Sequence, residues 1–180
     1  MNPLVCFSLG YAFSELLLML IKRSKSGSVK TREDRGSLIL LWLTITLGFI
    51  GGFFLSKPVN MFWAGFGFTF IIGGLIIRWI AILQLGNAFT VDVAITKTAN
   101  LKTDGIYERV RHPSYSGIMA IVIGFAATMN SLNSFLVLVL PVFFAVIFRI
   151  GVEEKVLIKE FGNSYLEYKS KTKKLIPGIF

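Results

Sequence analysis

The residues of this chain that could carry chemistry are concentrated in two short blocks, and the first holds the only histidine. That block, Arg109–Gly117, reads R-V-R-H-P-S-Y-S-G. The second contains Arg149 and, four and five residues later, the acidic pair Glu153 and Glu154. Imidazole, carboxylate, guanidinium and phenol groups can transfer protons or bind a charged ligand. Both blocks adjoin hydrophobic runs, which predicts a site at the edge of membrane helices.

The composition of the chain is typical of a membrane protein. Hydrophobic residues make up 54% of its 180 residues and charged residues only 16%. A soluble domain of this length needs a more polar surface. The net charge of +9 does not indicate nucleic-acid binding, because the basic residues stand in blocks beside hydrophobic runs, where anionic lipid headgroups attract them. The single cysteine excludes an intrachain disulfide.

Hydrophobic runs predict about five transmembrane helices, since about 20 helical residues cross the hydrocarbon core of a bilayer. The runs are Pro3–Ile21, Ser37–Leu55, Asn60–Leu83, Ser116–Met129 and Phe135–Ile150. The last two are short and form a predicted hairpin. The first ends in basic rather than small residues, so we interpret it as a retained span and not a signal peptide. Its internal Glu15 is either functional or a hydrogen-bonded packing contact.

The basic residues predict the orientation of the chain. Three polar segments hold 16 of its 19 Lys and Arg residues: Lys22–Arg35, Leu85–Pro113 and the tail after Glu153. Five spans place all three on one side, which the positive-inside rule assigns to the cytosol. The N-terminus is then outside. The chain divides into residues 1–84, three helices with the basic loop 22–36, and residues 85–180, which hold both polar blocks.

The first block predicts the start of a helix. Pro113 disfavours helical geometry at His112 and suits the first turn of the helix that follows. The free N–H groups of such a helix end favour an anion. His112 would then lie at a ligand site, although lone histidines are more often caps or satisfied interfacial groups. Upstream, Thr90–Ile95 alternates like a short extended stretch. One histidine without a cysteine cluster argues against a metal site.

The second block has a structural and a functional interpretation. Arg149 and Glu153 share a helix face and could form a plain interfacial ion pair of little value to stability. Alternatively, the arginine binds an anionic substrate while the carboxylate holds a polar or cationic ligand. An amphipathic helix that lies on the membrane or folds back on the bundle is predicted from four residues at helical spacing: Leu157, Phe161, Tyr165 and Tyr168.

Glycines do not form a nucleotide-binding motif in this sequence. No G-x-G-x-x-G follows a predicted strand, and no alternation of strands and helices suggests a Rossmann fold. The pairs Gly48/Gly52 and Gly65/Gly67 lie within predicted spans, where they predict close helix packing. A nucleotide-like cofactor would therefore bind in another way.

Together the two blocks resemble the isoprenylcysteine carboxyl methyltransferase family and, more loosely, the integral-membrane phospholipid methyltransferases. The resembling blocks read G-I-Y-E-R-V-R-H-P-S-Y-S-G and R-I-G-V-E-E-K-V-L-I-K-E-F-G-N-S-Y-L-E-Y. The resemblance covers Leu85–Phe180. It implies an all-α integral membrane protein whose C-terminal half, with a polar segment, a helical hairpin and an amphipathic helix, forms a cytosolic pocket for S-adenosylmethionine.

The resemblance also implies roles for individual residues. Arg149 and Glu153 are the implied catalytic residues, with Arg149 binding the substrate carboxylate. A looser upstream contact falls near Asp92. The implied cofactor contacts are Ala99, Asn100, Leu101, Lys102, Tyr107, His112, Pro113, Ser114, Tyr115 and Glu153.

The expected function is methyl transfer to a lipophilic acceptor at the membrane, namely carboxyl O-methylation of an isoprenylcysteine-like substrate. An ionised carboxylate needs no general base at pH 7, whereas a phenol or amine acceptor would need one, and His112 or Glu153 are the candidates. Other interpretations are methylation of another lipid (a phenol, pyrone or phospholipid amine), an NADPH-dependent membrane reductase, or a non-catalytic lipid-binding protein. The sequence does not predict an oligomeric state.

Overall fold

The computed structural model describes residues 36–86, 94–96 and 100–180, the strand 29–32, and three further positions, Gly10, Phe13 and Glu15. Within these residues the chain forms five α-helices, two short strands and a 3₁₀ turn. In chain order they are β1 (Val29–Arg32), α1 (Ser37–Phe54), α2 (Met61–Leu85), β2 (Ala94–Thr96), the 3₁₀ turn (Gly105–Glu108), α3 (Pro113–Thr128), α4 (Leu132–Phe161) and α5 (Asn163–Lys171).

Three of the described helices, α1, α2 and α4, are long and apolar enough to cross a membrane. The shorter apolar helix α3 has 16 residues, about 24 Å at 1.5 Å per residue. It begins at Pro113, three residues before the predicted run. The predicted first span, Pro3–Ile21, lies outside the described residues apart from the three positions named above, which are helical. The count of five spans therefore stays a prediction.

Helix α4 is longer than the span predicted from the sequence. It continues past Ile150 to Phe161 and has 30 residues, about 45 Å of helix. A hydrocarbon core is about 30 Å thick, so the C-terminal turns of α4 extend beyond it. Arg149, Glu153 and Glu154 are thus part of the same continuous helix as the last span.

Glycine ends α4 and divides the predicted amphipathic helix. Gly162 has a φ of 54°, a left-handed conformation that favours glycine and does not continue a helix. Leu157 and Phe161 consequently belong to α4, whereas Tyr165 and Tyr168 belong to α5. The prediction of one amphipathic helix was wrong on this point, because the spacing continues across the turn.

Helices α2 and α3 approach each other through glycines. A Cβ atom on Gly67 would lie 2.5 Å from the carbonyl oxygen of Gly124, and one on Gly74 would lie 2.7 Å from that of Gly117. A Cβ atom on Gly65 would have no neighbouring atom within 4 Å in the described structure. Close packing is therefore confirmed for Gly67 but not for Gly65. We call the four close-packed residues the glycine crossing.

Helix α1 packs on α4 by the same means. A Cβ atom on Gly48 would lie 2.9 Å from Cδ1 of Leu138 in α4. One on Gly52 would lie 2.9 Å from the sulfur of Met129, just after α3, and 3.6 Å from the carbonyl oxygen of Ser134 in α4. The close packing predicted for this glycine pair is confirmed. Ser134, at the start of α4, donates a hydrogen bond of 2.8 Å to the carbonyl of Gly52. The core between the helices consists of apolar side chains, among them Ile45, Ile71, Phe125 and Val142.

The strands form one antiparallel pair, with Val29 opposite Thr96 and Arg32 opposite Ala94. Apart from this short pair and the 3₁₀ turn, the regular structure of the described residues is α-helical, as the all-α prediction expected. Strand β2 overlaps the end of the predicted extended stretch Thr90–Ile95, of which residues 90–93 lie outside the described residues. The pairing requires the first two basic segments to lie on the same side of the membrane helices, as five spans would place them.

Candidate active site

The start of α3 places His112 at the edge of the helical bundle. Pro113 occupies the first helical position, as predicted. The carbonyl of His112 accepts hydrogen bonds from the N–H groups of Tyr115 (3.0 Å) and Ser116 (3.2 Å). The imidazole makes no capping hydrogen bond and is buried. The backbone carbonyl of His112 thus caps α3, and its side chain takes no part in the cap.

The imidazole of His112 lies against the two glutamates of α4. Its Nδ1 is 3.8 Å from Oε2 of Glu153, and its Nε2 is 3.4 Å from Oε1 of Glu154. Nε2 of His112 and Oε2 of Glu153 are buried and have no hydrogen-bond partner among the described residues. Buried polar atoms are nearly always paired in folded proteins. Oε2 of Glu153 is therefore suited to a polar group of a ligand, and Nε2 of His112 has only its 3.4 Å approach to Glu154.

Arg149 is buried beside this pair, with 3% of its surface exposed. Its Nε donates to the hydroxyl of Tyr115 at 2.9 Å, and its Nη1 donates to the hydroxyl of Ser37 at 2.9 Å. The ring centroids of Tyr115 and His112 are 5.9 Å apart. In the described structure no salt bridge joins Arg149 to Glu153, so the plain interfacial ion pair is not the arrangement found. Instead the hydroxyl of Tyr115 accepts from the guanidinium, and its ring lies near the imidazole.

Glu154 is the centre of a buried charge cluster. Its carboxylate receives Nε of Arg111 at 2.7 Å and Nζ of Lys169 at 2.7 Å. Arg111 also donates to the backbone carbonyl of Thr172. The sequence predicted no role for Glu154, although basic residues before α3 and in the C-terminal tail indicated possible partners. The cluster links α4 to the segment before α3 and to the C-terminal tail.

The tail also pairs with the first block through its backbone. The N–H of Arg111 donates to the carbonyl of Lys173 at 2.9 Å, and that of His112 donates to Lys174 at 3.1 Å. The segment next to His112 is therefore held from outside the helical bundle. Of the two predicted alternatives, these contacts favour a C-terminal region that folds back over one that only lies on the membrane.

Tyr107, in the 3₁₀ turn, is buried within electrostatic reach of Glu153. Its hydroxyl donates to the carbonyl of Ala81 in α2 at 3.2 Å, and its own carbonyl accepts from the hydroxyl of Tyr168 at 2.7 Å. Burial raises the pKa of Tyr107, and the negative charge of Glu153 raises it further. Tyr107 therefore stays protonated at neutral pH and can donate or accept a hydrogen bond.

Ser114 faces α2 rather than α4. Its hydroxyl accepts from Nη1 of Arg78 at 2.8 Å. Two other nitrogens of Arg78 each donate to a carboxylate oxygen of Glu15 at 2.6 Å. This bidentate, buried pair supports the packing alternative for Glu15. Neither the pair of Arg78 with Glu15 nor the contact of Arg78 with Ser114 was predicted. The sequence indicated the pair only through an acidic and a basic residue in separate apolar runs.

The upstream cofactor contacts are not joined to this cluster by any described hydrogen bond or ion pair. Asn100 is exposed, Leu101 is half-buried, and Lys102 pairs with Asp104 at 2.9 Å. Ala99 and Asp92 lie outside the described residues. The structure thus brings together Tyr107, His112, Tyr115, Arg149 and Glu153, with Pro113 at the helix start.

Comparison with known proteins identifies the family. The sequence profile of the family described as phospholipid methyltransferase matches residues 62–164, more than half of the chain. A protein-S-isoprenylcysteine O-methyltransferase of Schizosaccharomyces pombe is 34% identical over 160 residues, which cover 77% of this chain and 67% of that protein. The chain belongs to the isoprenylcysteine carboxyl methyltransferase family. This family membership agrees with the resemblance of the two blocks.

Other members of the isoprenylcysteine carboxyl methyltransferase family give similar matches. Protein-S-isoprenylcysteine O-methyltransferase B of Arabidopsis thaliana is 32% identical over 129 residues, 71% of this chain and 66% of its own length. The chain thus spans about two thirds of the length of these curated relatives. The solved structure of a eukaryotic intramembrane Ras methyltransferase, an isoprenylcysteine carboxyl methyltransferase, matches with a TM-score of 0.58 and 24% identity. It covers 83% of this chain and 55% of that one, and shows the same fold.

Proposed function

We propose that the protein is an S-adenosylmethionine-dependent methyltransferase that methylates the carboxylate of an isoprenylcysteine-like acceptor at the membrane. The observation that carries the proposal is the meeting of His112, Tyr115, Arg149 and Glu153, with unpaired buried atoms on His112 and Glu153. Membership of the isoprenylcysteine carboxyl methyltransferase family supports it.

The residues of the cluster fit the methyl donor. S-adenosylmethionine supplies an electrophilic methyl group on a sulfonium, together with hydroxyl, amino and carboxylate groups. Glu153 offers a negative charge to the cationic parts, and His112 and Tyr107 offer hydrogen bonds. Tyr115 and His112 contribute ring surfaces. Asn100, Leu101, Lys102 and Ser114 stay implied contacts that depend on the family resemblance, as does Ala99.

Arg149 is the proposed group for the acceptor carboxylate. Its hydrogen bonds to Tyr115 and Ser37 fix the orientation of the guanidinium. An arginine binds a carboxylate through paired N–H groups, which also orients it. Because the acceptor carboxylate is ionised at pH 7, the protein has only to align the reactants and exclude water. The tail that pairs with the His112 segment is suited to exclude water.

Membrane placement follows from the same proposal. The basic segments, and with them the candidate site and the C-terminus, face the cytosol, and the N-terminus is outside. The bilayer then supplies the lipophilic acceptor to the site from the side. A phospholipid amine is the second candidate acceptor, because the matching family profile is described as phospholipid methyltransferase.

The proposal is tested by transfer of a radiolabelled methyl group in nanodiscs. We expect S-adenosylmethionine to label a farnesylcysteine analogue but not its carboxamide, which lacks the nucleophilic oxygen. A parallel assay offers phosphatidylethanolamine and a prenylated phenol as acceptors. If only the phospholipid were labelled, the proposed carboxylate acceptor would be wrong and a phospholipid amine would be the acceptor. Thermal stabilisation by NADPH but not by S-adenosylhomocysteine would instead favour a reductase, and stabilisation by neither would favour a lipid-binding protein.

A pair of variants tests the division of roles between the two catalytic residues. Arg149→Lys retains the positive charge but loses the planar fork, so we expect turnover to fall about 100-fold while the affinity for S-adenosylhomocysteine changes little. Glu153→Gln should weaken that affinity about tenfold. Isothermal titration calorimetry and the radiolabel assay measure the two effects. Equal losses of cofactor affinity in both variants would contradict the division.

A further inference from the structure

On α5, the hydroxyl of Tyr165 makes no hydrogen bond within the described residues. Tyr165 is 1% exposed, and its hydroxyl has no hydrogen-bond partner in the described part of the chain. Tyr168 lies three residues later, with its ring centroid 6.0 Å from that of Tyr165. The hydroxyl of Tyr168 is bonded to the carbonyl of Tyr107. Docking of α5 therefore uses one phenol hydroxyl and leaves the other unsatisfied.

The position of Tyr165 on α5 directs it toward the glutamates of α4. Lys169 is four residues after Tyr165 and so shares its helix face, and its ammonium contacts Glu154 at 2.7 Å. Burial raises the pKa of Tyr165, and the negative charges of Glu154 and then Glu153 raise it further. The hydroxyl therefore stays protonated at neutral pH and is available as a hydrogen-bond donor.

Three of the four buried side-chain atoms without a hydrogen-bond partner in the described structure belong to this one region. They are Nε2 of His112, Oε2 of Glu153 and the hydroxyl of Tyr165, whereas the fourth, Nε1 of Trp42, is on α1. A buried hydroxyl without a partner costs free energy, and packing alone does not explain why Tyr165 and Glu153 both keep such an atom. Nε2 of His112 approaches Glu154 at 3.4 Å, so the ligand has to satisfy the hydroxyl of Tyr165 and Oε2 of Glu153.

We infer that the hydroxyl of Tyr165 is a further binding group for the methyl donor, donating a hydrogen bond to a hydroxyl or carboxylate oxygen of S-adenosylmethionine. The inference rests on the proposed function. It adds α5 to the site, so the cofactor is held by the start of α3, the end of α4 and the helix beyond the Gly162 turn. From the sequence, Tyr165 was predicted only as part of an amphipathic helix.

The test compares Tyr165→Phe with Tyr168→Phe, which removes a hydroxyl from the same helix. Calorimetric titration of the full chain with S-adenosylhomocysteine should show about a tenfold weaker affinity for Tyr165→Phe. Its melting temperature without ligand should equal or exceed that of the wild type, because an unsatisfied hydroxyl is removed. Tyr168→Phe should melt at a lower temperature, because it loses a buried hydrogen bond, and should change the affinity by less than about threefold.

The outcomes separate this inference from the proposed function. Wild-type affinity in Tyr165→Phe would overturn the inference, while binding by the wild-type protein would leave the proposed function standing. Equal losses of melting temperature in the two variants would assign Tyr165 to folding and also overturn it. A wild-type protein that does not bind S-adenosylhomocysteine would overturn both proposals.

Discussion

Helix α3 is held by two different kinds of contact at its two ends. Along its body, Gly117 and Gly124 meet Gly74 and Gly67 of α2 so closely that a single added carbon would collide with backbone. At its start, His112 lies in a polar region closed by charges and backbone hydrogen bonds from α4 and the tail.

The two regions differ in whether they leave buried polar atoms without a hydrogen-bond partner among the described residues. The glycine crossing is apolar packing between two helix backbones, which supplies rigidity in lipid, where burial of apolar surface does not itself draw helices together. The polar region contains both a satisfied part, the Glu154 cluster, and an unsatisfied part around His112 and Glu153. Rigid packing on one side and unpaired polar atoms on the other is what a preorganised binding site requires.

The largest expected effect is in the polar region. Glu154→Gln removes the charge that Arg111 and Lys169 share, and breaking a buried ion pair costs about 3 kcal/mol. For a chain of this length that lowers the melting temperature by roughly 10 °C. Thermal denaturation in detergent, followed by near-ultraviolet circular dichroism, measures the change.

The matched control for that variant is Glu167→Gln. Glu167 pairs with Lys171 on the exposed face of α5, and an exposed pair of this spacing contributes only about 0.4 kcal/mol. Its melting temperature should therefore stay close to that of the wild type. Similar losses in the two variants would mean that the Glu154 cluster does not hold the tail.

The glycine crossing should give an intermediate effect. In Gly74→Ala the new methyl group would lie 2.7 Å from the carbonyl oxygen of Gly117, so the helices must separate, at a cost of about 2 kcal/mol. Gly73→Ala is the neighbouring control, because its methyl group would meet no described atom within 4 Å. We expect a lower melting temperature for the first variant only. Equal melting temperatures of Gly74→Ala and Gly73→Ala would show that the glycine crossing tolerates a wider separation of α2 and α3.

Alkaline pH should give the smallest effect. The pKa of Tyr165 is raised in the folded protein, whereas in the unfolded chain the phenol ionises near pH 10. Its contribution to stability is therefore complete below pH 10 and is lost as the pH rises above that value. Between pH 9 and pH 11 the melting temperature of Tyr165→Phe should rise by a few degrees relative to the wild type. A constant difference across this range would contradict the buried position of the phenol.

Part of the fold and part of the candidate site could be predicted from local patterns. Hydrophobic runs predicted α1 to α4, and the restriction that proline places on the preceding residue predicted the start of α3 at Pro113. The continuation of α4 to Phe161 was missed, because the run of apolar residues ends before the helix does. The strand pair was missed because its two members lie in separate loops.

The amino-acid sequence by itself determined the membrane class, the helices and the inventory of reactive side chains, because hydropathy, helix propensity and residue chemistry are local properties. Only the tertiary structure decided which groups meet. Arg78 reaches Glu15 across 63 positions of the chain, and Arg111 reaches Glu154 across 43. Such partners depend on helix crossings, and the crossings depend on where two backbones approach. The same packing left the hydroxyl of Tyr165 near the glutamates without a hydrogen-bond partner among the described residues, which no spacing in the sequence indicates.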